Sequence, residues 1–286
     1  MMPQMRITRE QVLSRLDVLP AFPKTVQRIL ETVDDPQSNM ILLADMVTQD
    51  PAIAARVFAV AHKAANDRHR CVNDIYTATS LIGTQTVREI ALSFGVPGFI
   101  QNLACKYAKG EMWRHSVAVG VCAQELAWQI DSRDPIPHAF IAGLLHNIGH
   151  FWLLRFAGEA YASCWAKIRN EGIDICRAEE SVFGVNHAVL GSWLANNWGL
   201  PSSICNAIKG YHFPDTLSED QPLVNLLHVA GVLSNALGLN ENTKGSVHPL
   251  SSKACRALGL EWTCDMRPLF GRIDARTKYM SQFLND

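Results

Sequence analysis

From Asp50-Pro51 onward the apolar residues of this chain return at helical intervals, and the period-two alternation of strands is almost absent. After Pro51 the run is Ile53, Val57, Phe58, Val60 and Ala61, and a similar one passes through Ile75, Ala78, Leu81 and Ile82 to a stop at Gly83. Start signals agree. Thr8 and Gln11 have the spacing of a capping box, and Asp50 sets a capping acid before a proline at the first helical position. The expectation is an all-α protein. Later helices are expected over about 111–130, through the apolar segment Ala139 to His150, and over 174–182, 186–198 and 222–237. Amphipathic stretches follow near 250–258 and 265–284, after a polar loop up to residue 248.

The break Gly95-Val96-Pro97-Gly98 divides the chain into an N-terminal helical subdomain, 1–98, and a second helical subdomain, 99–240, with a C-terminal helical extension, 241–286. With 286 residues, 48% of them hydrophobic, a sizeable core is affordable. Lys and Arg number 26 against 27 Asp and Glu, which gives no global field for nucleic acid or anionic lipid. Arg68-His69-Arg70 is the one compact basic run of the first block and reads as solvated surface. The N-terminus lacks the apolar core of a signal peptide, and no window reaches the apolar length of a membrane span, so a cytoplasmic protein is expected. Its eight cysteines, at 71, 105, 122, 164, 176, 205, 255 and 264, never form a CxxC and are expected to be reduced, with none a metal ligand. The tryptophans at 113, 128, 152, 165, 193 and 198 are expected mostly in the core or between lobes. Leu16, Leu19, Phe22 and Val26 are expected to pin the first helix pair together.

Four histidines lie on or beside expected helices. His115 shares a face with Val119, Cys122 and Leu126, and His187 heads a stripe with Leu190, Gly191, Leu194 and Trp198, so both should point inward. His146 stands in Leu145-His146-Asn147, and His212 in Tyr211-His212-Phe213-Pro214. Imidazoles converging from several helices can build a zinc or iron site, and they can equally be core residues donating to carbonyls. His146 and His150 could chelate at i, i+4, but Gly149 between them suggests close packing. The Gly191-Ser192 pair lies mid-helix, without the strand and turn of a nucleophile elbow.

In this order the motifs resemble the HDOD module, a catalytically degenerate relative of the HD metal-dependent phosphohydrolases. The resemblance covers about residues 17–240. It rests on Leu19-Pro20-Ala21-Phe22-Pro23, Asp50-Pro51-Ala52-Ile53, Leu81-Ile82-Gly83, Trp113-Arg114-His115-Ser116, the run from Phe140 to Gly149, Glu180 with Gly184 and His187, Trp198-Gly199-Leu200-Pro201, and Tyr211-His212-Phe213-Pro214. It implies an N-terminal helical bundle packed on an HD-like lobe. In active HD relatives a first histidine, a His-Asp dyad and a late aspartate hold the metal. Here His115 and His146 match the histidines, Asn147 replaces the dyad aspartate, Gly231 falls at the late one, and His187 and His212 match additional histidines of some members. With both anions gone, no resident metal or other cofactor and no catalytic residue is expected.

The resemblance thus implies a non-catalytic signalling module that acts on another bacterial signalling protein, with no nucleic-acid or membrane partner. Two alternatives stay open: a ligand sensor, for a nucleotide, whose vestigial pocket is lined by His115, His146, Asn147, His187 and His212 with Trp113 beside them, and a phosphohydrolase with a histidine-only site helped by Glu179 or Glu180.

Overall fold

The computed structural model describes residues 6–15, 23–34, 39–66, 72–95, 110–130, 136, 138–239, 249–260, 262 and 265–282. Helices carry the regular structure, and no strand occurs among the described residues. The chain divides into two compact units, one of Pro20–Asn102 and one of Met1–Leu19 with Leu103–Asp286.

In the Pro20–Asn102 unit, α2 (Lys24–Asp34), α3 (Met40–Thr48), α4 (Pro51–Asn66) and α5 (Ile75–Gly95) follow one another. Side-chain caps start three of them. Asn39 accepts from the Leu42 N–H at 2.9 Å, Asp50 from those of Ala52 and Ile53 at 3.0 and 3.1 Å, and Asp74 from that of Thr77 at 2.7 Å. Val26, Ile29, Leu43, Val47, Ile53, Val57, Ala61, Ala78 and Val87 are buried. Gly83 adopts φ 81°, open to glycine at no steric cost, so the stop read there is a kink from which α5 resumes.

The larger unit begins with α1 (Arg9–Leu13), whose Thr8 and Gln11 form the expected capping box. The expected first subdomain, 1–98, included this helix; in the structure it groups with the later chain, because the Ile7 N–H donates to the Phe183 carbonyl at 2.8 Å and Val12 is fully buried. Next come α6 (Gly110–Gln129), α7 (Ala139–Leu145), α8 (Ile148–Glu171), α9 (Ile175–Phe183), α10 (His187–Asn197), α11 (Ser202–Gly210), a 3-10 turn (Pro214–Thr216) and α12 (Pro222–Ala236). The C-terminal helices α13 (Ser252–Ala257) and α14 (Arg267–Gln282) belong to this unit too. Arg272 and Arg276 of α14 both pair with Glu125 of α6, a carboxylate that burial would otherwise leave as an uncompensated charge.

Of the six tryptophans expected mostly in the core, Trp113 and Trp152 are buried, Trp193 and Trp198 half-buried, and Trp128 and Trp165 are 51% and 43% exposed. Trp128 is covered on one face by the Arg276 guanidinium, 4.5 Å from the ring, a cation–π contact that suits an indole at the surface. Cys122, Cys164, Cys176, Cys205 and Cys255 are buried free thiols. Cys71, Cys105 and Cys264 lie outside the described residues, as do the Arg68-His69-Arg70 run, the segment 96–98, the loop through 248, and Leu16, Leu19 and Phe22. Among the described residues no helix is long and apolar enough to cross a membrane.

Candidate functional site: a histidine-lined cavity

Six segments of the larger unit supply the site. His115 lies on α6 above Val119, Cys122 and Leu126, all fully buried, so the inward face read from the spacing is the one it occupies. The apolar segment from Ala139 to His150 is not one helix: His146 caps the end of α7, Asn147 stands at φ −96°, ψ 9°, and α8 begins at Ile148. The turn is fastened by His146, whose Nδ1–H donates to the Gly143 carbonyl at 2.6 Å and leaves Nε2 as an acceptor. His150 follows in the first turn of α8, Glu179 stands on α9, His187 is the first residue of α10, and Tyr211 and His212 follow the end of α11. His228, Gly231, Val232 and Asn235 come from α12.

Most of these residues, without Glu179 and His187, line a cavity of about 170 Å³. Of the five residues assigned to the pocket from the sequence, His115, His146, Asn147 and His212 line it and His187 does not; nor does Trp113, placed beside them. His187 is fully buried behind His212, their Nε2 atoms 2.8 Å apart. Gly231 lines the cavity as well, so Asn147 and Gly231, the positions at which the HD resemblance implies carboxylates, share it with the His115 and His146 rings, 5.2 Å apart. His150, Tyr211, His228 and Asn235 were not read as pocket residues. An i, i+4 pairing of His150 with His146 was the nearest signal. His150 instead turns toward Glu179 and Tyr161 and stacks on His187 at 3.6 Å between ring centroids.

Glu179 organises this second layer. It is fully buried, and its Oε2 accepts from the His187 backbone N–H at 2.8 Å and from His187 Nδ1–H at 2.7 Å. Its Oε1 accepts from the Tyr161 hydroxyl at 3.0 Å and lies 3.3 Å from His150 Nδ1. Protonated at Nδ1, His187 presents a bare Nε2, which accepts from the Tyr211 hydroxyl at 3.0 Å. Glu180, the other carboxylate considered, is taken up by the Asn186 amide at 2.6 Å. His228 is fixed in the same tautomer: the Ser251 N–H donates to Nε2 at 3.0 Å, so Nδ1–H donates to the Tyr211 carbonyl at 2.9 Å.

Burial decides the charges. It pushes the His115 imidazole down to about 4, and burial with the His187 charge nearby takes His150 to about 3. His146 falls well below the ordinary histidine value, first from burial and then from His115 beside it. Burial alone would raise Glu179, but His187 and His150, with the hydrogen bonds from His187, hold it below the ordinary carboxylate range. His115, His146 and His150 are therefore uncharged near neutral pH, and no carboxylate is among the residues lining the cavity.

A hard divalent ion held by His115, His146 and residues 147 and 231 draws much of its binding from anionic oxygens. Asn147 offers a neutral amide oxygen and Gly231 none. The metal that the HD resemblance implies does not fit these residues.

Comparison with known proteins supports the all-helical fold. The HDOD domain model matches residues 19–214. A crystal structure of an HDOD domain protein of unknown function from Geobacter sulfurreducens superposes with a TM-score of 0.74 at 23% identity, covering 97% of this chain and 96% of its own. A protein from Shewanella amazonensis SB2B, provisionally named a phosphohydrolase, gives 0.68 at 21% identity over 96% and 97% of the two chains. One from Marinobacter aquaeolei VT8, provisionally named a signal transduction protein, gives 0.72 at 22% over 98% of this chain and 62% of its own. An uncharacterized protein of Treponema pallidum (strain Nichols) is 22% identical over 222 residues, 77% of this chain; the match spans only 43% of that relative's length.

Proposed function

Because this chain belongs to the HDOD domain family, we propose that it is a non-catalytic regulatory module of bacterial signal transduction that acts by binding another signalling protein in the cytoplasm. Proteins of the same fold carry both phosphohydrolase and signal-transduction names, so the fold leaves both open and the site must decide. The observation that carries the reading is the cavity without a lining carboxylate, with Asn147 and Gly231 at the two positions where an HD hydrolase needs them. Without those anions there is neither the charge to hold a hard ion nor a base beside it to activate water. A polar-lined pocket among the helices of the larger unit remains. The cavity favours a second role compatible with the first, namely binding a nucleotide through its imidazole, amide and phenol groups without turning it over.

The test is turnover. The full-length protein, assayed with manganese, ferrous iron and zinc on cyclic dinucleotides, nucleoside phosphates and a generic phosphodiester, is expected to release no product above buffer. A nucleotide that binds and is recovered intact fits the second role. Metal-stimulated hydrolysis that disappears in His146→Ala, with the variant's thermal melt intact, would make the protein an enzyme and remove the proposal.

A further inference from the structure

Two carboxylates are buried among the described residues, and they are compensated differently. Glu125 has two guanidinium groups. Glu179, fully buried, has facing it no guanidinium or ammonium among the partners described but the imidazoles of His150 and His187, the phenol of Tyr161 and the His187 backbone N–H. A buried carboxylate needs a cation or several strong donors, and imidazoles beside it are also the usual partners of a borderline metal ion.

We propose that His150, Glu179 and His187 form a binding site for a zinc-class divalent ion that ties α8, α9 and α10 together behind the cavity. The ligand atoms already cluster. One ring nitrogen each of His150 and His187 and one Glu179 oxygen all lie within 4.8 Å of one another, His150 Nδ1 standing 3.3 Å from Oε1 and His187 Nδ1 2.7 Å from Oε2. A tetrahedral ion with ligands at about 2.0–2.1 Å holds its ligand atoms about 3.3 Å apart and in the plane of each imidazole, so the His150 and His187 rings must turn out of their stack to share one. The two imidazoles suit zinc, and the carboxylate supplies the anion that the cavity wall lacks.

Partners around the three ligands complete the site, as outer hydrogen bonds do in metal centres. Tyr161 donates to Glu179 Oε1, and the His187 backbone N–H donates to Oε2. On binding, the ion replaces the proton that His187 Nδ1 shares with Glu179; the ring proton then sits on Nε2, where the Tyr211 oxygen at 3.0 Å and His212 Nε2 at 2.8 Å can accept it. His150, at the cavity wall, opens the remaining coordination position toward water. None of the three ligands belongs to the set His115, His146, Asn147 and Gly231, so the site stands or falls apart from the loss of that set.

The experiment is zinc binding to the full-length, untagged protein after chelator treatment, followed by competition with a chromogenic chelator and by the visible spectrum of the cobalt-substituted form. Wild type is expected to bind close to one equivalent. His150→Ala and Glu179→Gln should each weaken it by about tenfold or more, the loss typical of disturbing a metal shell. His146→Ala, which touches only the lost set, should leave both the stoichiometry and the cobalt spectrum unchanged. His150 is at the cavity wall, so its variant decides the matter even if Glu179→Gln fails to fold, as judged by circular dichroism. Absence of zinc uptake by wild type, uptake undiminished in a folded His150→Ala, or uptake lost in a folded His146→Ala would each overturn the proposal.

Discussion

Gly149→Ala is expected to cost more than about 3 kcal/mol, enough to unfold the larger unit or halve its resistance to denaturant. A methyl group at this position would stand 1.9 Å from the His187 carbonyl oxygen, 2.7 Å from its carbon and 2.9 Å from the Gly191 nitrogen. All three are backbone atoms of α10 and its start, so no side chain can swing aside. The first turn of α8 would have to lift off α10, and with it the stacked pair His150 and His187 would separate. Gly231→Ala is the control. Nothing lies within 4 Å of its added methyl, and replacing a helical glycine is favourable by up to about 1 kcal/mol. Denaturant midpoints of the two variants check the pair of statements; a Gly149→Ala protein as stable as wild type would mean that α8 and α10 are not in the contact described.

Chelator-treated protein is expected to lose stability steeply between pH 6.5 and 4. Unfolded, each histidine titrates near 6.5, whereas in the fold His115 falls to about 4, His150 to about 3 and His146 well below its ordinary value. Across that interval the unfolded chain binds more protons than the folded one, so stability is complete above about pH 6.5 and declines as the pH falls toward the folded values. For His115 alone the shift corresponds to at most about 3 kcal/mol, reduced by whatever water enters the cavity. Carboxylates do not confuse the upper part of this window: Glu179 is held below its ordinary value and so contributes in the same direction only at lower pH. Equilibrium denaturation at pH 7 and pH 5 makes the comparison. Equal stabilities would place these imidazoles in water.

The helical class was legible because capping residues and apolar spacing are local signals. Thr8, Asn39, Asp50 and Asp74 act where they stand in the sequence, and Val119, Cys122 and Leu126 mark the inward face of His115 directly. The turn at His146-Asn147 was not legible. It depends on an imidazole taking a carbonyl three residues back, inside a segment whose apolar pattern continues through the break. The grouping of α1 with the later chain was hidden for a different reason, since its anchor, the Phe183 carbonyl, is distant in sequence. Within the site, motif order carried His115, His146, His187 and His212, and alignment carried Gly231. What escaped was partnership: that His150 faces Glu179 rather than His146 follows from how α8, α9 and α10 pack, and no residue spacing encodes it. The tryptophans teach the same limit, because Trp128 owes its exposed position to Arg276, a residue of the C-terminal helix.

The central claim is that a metal site persists here in outline with its two anions removed, and its most direct test is to return them. Thermal melts of Asn147→Asp with Gly231→Asp, recorded with and without manganese beside wild type under the same conditions, isolate the hard-ion site. Both positions line the cavity, and the space beside Gly231 is open. Without metal the double variant should melt below wild type, because two added anions are enclosed without a cation. With manganese at about 100 times its dissociation constant it should regain about 2.7 kcal/mol, several degrees in Tm, while wild type stays where it was. A double variant that melts at one temperature with and without manganese would contradict the claim.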